Sequence, residues 1–363
     1  MPKTTKTNKP SNSYNNDLGK DITESSAEFE FAAVPPPAES IPDFGRRIKL
    51  LMAGIMFAVV AYSGAWFWFG SQLVKSTQTA ITDAALTGQA LTCETPVSIG
   101  FPFRMGLTCS KTGFADAAKG IKIEAGTFRS AAQVYEPRHI ISELDGPLQI
   151  STPQIQPVIV NWSLAHASIA GNGNLPARLS IEVENPSVGG ASDATFPLGN
   201  AKLLAFHMRR GENNQIDLAS NIEAAKFKDA PVFNLSADAS VSGATRFDAA
   251  LKSGKPLVEV LRGNQGELRS VKLTFSDGGD LMISGPFSLS EAGLLSGNFT
   301  IMAEKAGALI DNLSKLGAAF GAAANNLDAV KAMAVNDKFN FTITIKDGIA
   351  SMGFIPLGKI PAF

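Results

Sequence analysis

From Pro96 to the end of the chain, apolar and polar residues alternate with a period of two. Clear runs are Ile121–Ala125, Leu179–Val183, Ile216–Ile222, Val271–Phe275 and Phe339–Ile345. Successive side chains of a strand point to opposite faces. Each run therefore predicts a strand with one apolar and one polar face, the pattern of an antiparallel sheet wet on one side. Turn formers separate the runs at Asp145-Gly146, Gly171-Asn-Gly173, Asp277-Gly-Gly279 and Asp347-Gly348. The expected fold is mainly β (α+β), a long antiparallel and curved meander.

Two segments depart from that period. Residues Leu50 to Phe69 carry no charge at all. At 1.5 Å per residue such a run spans roughly 30 Å, the hydrocarbon thickness of a bilayer. Arg46, Arg47 and Lys49 precede it, and Trp66 and Trp68 stand where the far interface would fall. This asymmetry predicts a single span with a cytosolic N-terminus and the remainder outside, the interface marked by those five side chains. A cleaved signal peptide is the competing reading. The long leader and the large Trp and Phe side chains at the end of the run oppose it. Gln72 to Ala85 can continue the helix through Leu73, Thr77, Ala80, Ile81 and Ala84.

The second departure is a stripe at Leu309, Leu313, Leu316, Phe320, Ala323, Leu327, Val330 and Ala334, stepping by four and three. It predicts an amphipathic helix over about 305–334, weakened at Gly317 and Gly321. Its apolar face either lids a groove or packs on the sheet as core.

These elements divide the chain into a disordered cytosolic tail (1–45), a membrane anchor (46–70), a juxtamembrane helix (71–92) and two β-rich lobes (93–190 and 191–363). The tail is rich in Lys, Thr, Asn, Ser and Pro and has too little apolar surface to fold. The turn formers of residues 186–199 mark the junction between the lobes.

Composition changes the picture in three places. A net charge of −1, with scattered Lys and Arg, gives no basic face for nucleic acid. Hydrophobic residues make up 45% of the chain against 18% charged, more apolar surface than the anchor alone requires. Both cysteines, Cys93 and Cys109, follow the anchor and flank a hairpin bent at Gly100 to Pro102. On the oxidising side of a membrane that favours a disulfide, with two buried thiols as the alternative. Two ligands without a nearby histidine do not make a zinc site.

Catalytic chemistry is not legible. His139, His166 and His207 lack a ligand or carboxylate at useful spacing, and no nucleophile elbow, phosphate loop or dinucleotide fingerprint occurs. The expectation is a protein without enzymatic activity or cofactor.

The anchor running into Trp66-Phe-Trp68, the Gly100-Phe-Pro-Phe-Arg104 bend, Tyr135-Glu-Pro137, and Asp347-Gly348 leading to Pro356-Leu-Gly-Lys-Ile-Pro361 resemble a proteobacterial family, domain of unknown function 2125. The resemblance implies an inner-membrane-anchored periplasmic protein and carries no catalytic residues. A weaker likeness joins Asp280–Gly285, Leu295–Ile301 and the apolar helix to the closing unit of AsmA-like envelope proteins, whose curved sheets are implicated in moving lipids. Together these readings lead to a groove for a lipid or acyl chain, with a periplasmic scaffold for protein partners as the alternative and an enzyme of unrecognised class third.

Overall fold

In the computed structural model the described residues are 44–171, 173, 175–190, 198–228, 230–253, 257–319 and 334–363. The tail expected over 1–45 lies almost wholly outside them. Helix α1 (Phe44–Leu86) is long and apolar enough to cross a membrane. It stops earlier than the expected helix end at residue 92. Gly88 adopts φ +80, and the N–H groups of Thr87 and Gly88 bond back to the carbonyls of Ala84 and Ala85. Glycine takes that left-handed conformation without steric cost, which closes the last turn and releases the chain into a strand.

The described strands after α1 form one antiparallel sheet in meander order. Its first part consists of long strands, each interrupted near its middle. The successive pairs are β1 (Gln89–Cys93) with β2 (Val97–Ile99), β3 (Arg104–Cys109) with β4 (Thr112–Asp116), and β5 (Ile121–Ala125) with β6 (Phe128–Gln133). Then follow β7 (Glu136–Leu144) with β8 (Leu148–Thr152), and β9 (Ile155–Asn161) with β10 (Leu164–Ala170). The last pairs are β11 (Arg178–Glu184) with β12 (Ser187–Gly190) and β13 (Gly199–Asn200) with β14 (Leu203–Arg210).

The interruptions fall in line across the sheet and divide it into two arms. One holds β1, β4, β5, β8, β9, β12 and β13; the other holds β2, β3, β6, β7, β10, β11 and β14. Strand β15 (Gln215–Phe227) pairs with both arms.

Residue chemistry explains this crease. Thr95 and Asn185 take positive φ immediately before Pro96 and Pro186, Gly126 and Gly146-Pro147 occupy the line, and Ala224 takes φ 48 where β15 bulges. Proline cannot donate to the ladder, and a bulge kinks the strand that carries it. Hydrogen bonds nevertheless join neighbouring strands at the crease, from Gly126 N–H to Asp145 O at 3.0 Å and from Asn185 N–H to Lys202 O at 2.9 Å. The Asp145-Gly146 signal is therefore a mid-strand kink and not the hairpin turn its composition predicts.

The sheet continues through β16 (Phe233–Ser242), β17 (Gln265–Phe275), β18 (Asp280–Leu289), β19 (Leu295–Glu304), β20 (Lys338–Lys346), β21 (Ile349–Met352) and the edge strand β22 (Ile355–Lys359). The ladder runs from β11 through β14 to β15 without a gap, so residues 186–199 do not separate two lobes. Pro186, which opens that stretch, lies at the crease.

Helices cover the apolar face of the sheet at two places. Helices α2 (Ala244–Ser253) and α3 (Leu257–Leu261) follow β16. Phe247 and Ala250 of α2 and Val260 of α3 pack with Met208, Ile216 and Val241. Helix α4 (Ala306–Ala319) follows β19 and inserts Leu309 between Phe233, Leu273, Phe275 and Ala303. Ile216 and Ile222 share one face of β15, as do Val241 and Phe233 of β16, so both clusters stand on the same side of the sheet.

Candidate functional site

Among the described residues, part of the apolar face beside the two helical caps stays open. Cross-strand register places Val183 opposite Leu204 and Ile181 opposite Phe206, with Leu179 opposite Met208. These side chains share a face because the strand period is two. Ile181 is 39% exposed, Phe206 37% and Leu204 36%, high values for large apolar side chains in central strands.

Two apolar cavities occupy this face. The first, about 430 Å³, lies at the crease and is lined by Phe128, Leu144, Leu148, Val160, Trp162 and Ile181 among others. Leu148 and Val160 come from one arm and the rest from the other or from the crease itself. The second, about 410 Å³, lies beneath α2 and is lined by Leu179, Phe206, Met208, Leu218, Phe247 and Leu251 among others. The cavities abut: Leu204 borders the first, while Phe206 and Met208, the next same-face positions of β14, border the second. Trp162 closes the crease end. Its Nε1–H donates to Leu144 O at 2.8 Å, and its ring lies over Gly146.

The opposite face is ionic. Arg129 donates to both carboxylate oxygens of Asp145 at 2.9 and 2.6 Å and to Glu143 at 3.3 Å. Arg269 joins Asp238 and Asp217, and Arg209 also reaches Asp217. The guanidiniums of Arg269 and Arg209 hold the Asp217 carboxyl below its ordinary range, and Arg129 does the same for Asp145. On the other arm Lys122 and Lys111 depress Glu124 to about 2. These are mutually satisfied pairs at half-exposed positions. Among the described residues no group of three or more His, Cys, Asp or Glu could hold a metal. His139 and His207 each meet a serine hydroxyl, and His166 faces Glu182 at 3.5 Å.

The structure separates the side chains that the sequence singles out. Cys93 and Cys109 form a disulfide with Cα atoms 5.1 Å apart. Because Cys93 ends β1 in one arm and Cys109 ends β3 in the other, the bond staples the two arms across the crease. Arg46, Arg47 and Lys49 are exposed on α1, as is Trp68.

Trp66, unlike Trp68, is covered by protein. It is only 5% exposed, because Phe101 meets it edge-on at 5.4 Å and its Nε1–H donates to Arg104 O at 2.8 Å. The β2–β3 hairpin tip therefore covers the indole that a lipid-facing belt would expose. Leu309, Leu313 and Leu316 pack into the core beneath α4, with Leu309 fully buried, so this part of the stripe is core and not a lid. Phe320, Leu327 and Val330 lie outside the described residues.

The groove residues themselves went unselected in the sequence. Leu179–Val183 is legible as an alternating strand, but only cross-strand placement reveals that, among the described residues, no helix covers Ile181 and its neighbours.

A creased antiparallel sheet, stapled across its fold and following one long apolar helix, defines a helix-led β protein with an open apolar groove. The chain belongs to the family described as an uncharacterized protein conserved in bacteria (DUF2125), whose model matches residues 66–361. No curated protein and no solved structure matches the chain. The AsmA-like resemblance finds no counterpart in these comparisons.

Proposed function

We propose that this protein is a non-enzymatic, single-pass inner-membrane protein whose periplasmic groove takes the acyl part of a lipid or a similar apolar envelope component. The observation that carries the reading is the pair of abutting apolar cavities along β11 and β14, bordered by Ile181, Leu204 and Phe206. Shielding methylenes there would contribute about 0.8 kcal/mol each. The disulfide supports an oxidising compartment, and Arg46, Arg47 and Lys49 support a cytosolic N-terminal flank.

The test is native mass spectrometry of the full chain extracted from membranes in mild detergent. Wild type should retain lipid, whereas Ile181→Asp and Phe206→Asp should lose it while keeping the disulfide and protease resistance. Absence of lipid from the wild type would overturn the reading. A scaffold role has one observation in its favour: edge strand β22 exposes Ile355 and Leu357, next to a fully exposed Phe354. Pairing of a partner strand along that edge is what it would offer.

A further inference from the structure

We propose that the sheet has a second membrane contact besides α1, a foot formed by the β2–β3 and β6–β7 turns that dips into the bilayer beside the helix. The proposal rests on the reading that α1 spans a membrane. Phe103 is 71% exposed at the first turn and Tyr135 77% at the second, accompanied by the exposed Phe101 and Val134. The turns are joined, because Val134 N–H donates to Phe103 O at 3.0 Å.

Position along α1 turns this exposed apolar cluster into a lipid-facing one. The Tyr62 hydroxyl donates to Pro102 O, Trp66 holds Arg104 O, and Phe67 stacks on Phe101 at 5.6 Å. Gly70 lies close against β2, for a Cβ there would be 2.7 Å from Ser98 Oγ. Tyr62 precedes Phe69, the last aromatic residue of the apolar run, by about 10 Å of helix. The first turn is thus held alongside the outer part of the apolar span, at a depth where water is scarce.

The turn's hydrogen bonding suits that depth. Unpaired carbonyls are costly away from water. The Gly100 carbonyl accepts from Arg104 N–H, and those of Pro102, Phe103 and Arg104 accept from Tyr62, Val134 and Trp66. Exposed Arg104 and Glu136 flank the aromatic cluster, in position to reach the headgroups.

The test places an environment-sensitive fluorophore on single introduced cysteines of the full chain in phosphatidylethanolamine–phosphatidylglycerol vesicles. The positions are Phe103→Cys, Tyr135→Cys, Phe57→Cys as a reporter of the span, and Phe354→Cys as a reporter of water. The native cysteines are bonded to each other and do not label, and all four sites are exposed, so folding is retained. Labels at 103 and 135 should emit blue-shifted relative to 354 and be quenched by headgroup-level nitroxide lipids. Water-like emission at 103 and 135 with a lipid-embedded label at 57 overturns the foot and leaves the span intact. A water-like label at 57 overturns the span and the foot together.

Discussion

Glu124 shows how the polar face of the sheet contributes to stability. Lys122 and Lys111 lower its pKa from 4.5 to about 2, so the folded state binds its proton more weakly than the unfolded chain. The contribution is fully present above pH 4.5 and is lost as pH falls through 2. Denaturant midpoints of the wild type should therefore drop more steeply over that window than those of Glu124→Gln. High salt should shrink the difference, since the group is partly solvated. Parallel curves would show that the ion pairs do not stabilise the sheet. The Cys93–Cys109 bond acts at a different point, on the unfolded chain. Its sequence separation of 16 suggests about 3 kcal/mol by the chain-entropy model. A Cys93→Ala, Cys109→Ala variant should lose stability of that order in urea titration, and an unchanged midpoint would contradict the assignment.

At the scale of elements, helix α4 and the exposed stretch of β11 give opposite expectations for similar apolar side chains. Leu309 is enclosed by Phe233, Phe275 and Ala303, so Leu309→Ala should cost about 2–5 kcal/mol and make the domain protease-sensitive. Ile181→Ala, at a position more than a third exposed, should change stability far less, as measured by the same assay. Equal losses would mean that the groove is ordinary core.

The strands were legible in the sequence because their period of two is set by one wet face, and β5 spans the same Ile121–Ala125 as its alternating run. The crease was not. A proline or Asp-Gly pair has the same composition whether it ends a hairpin or kinks a strand, and only the partner strand decides. The burial of Trp66 was not legible for a related reason, since sequence position alone cannot show that a hairpin tip covers one side of a helix.

For the molecule as a whole, the described residues leave an apolar face open beside two helical caps, and a disulfide holds the crease that walls one end. That arrangement has a physical rationale if something apolar completes the face, because central-strand isoleucine and phenylalanine otherwise remain in water. The most direct measurement is photocrosslinking in living cells with a photoreactive residue at position 181, and separately at 182, on opposite faces of β11. A lipid-mass adduct at 181 and none at 182 is the predicted result. No lipid adduct at 181, or equal adducts at both positions, would contradict the groove.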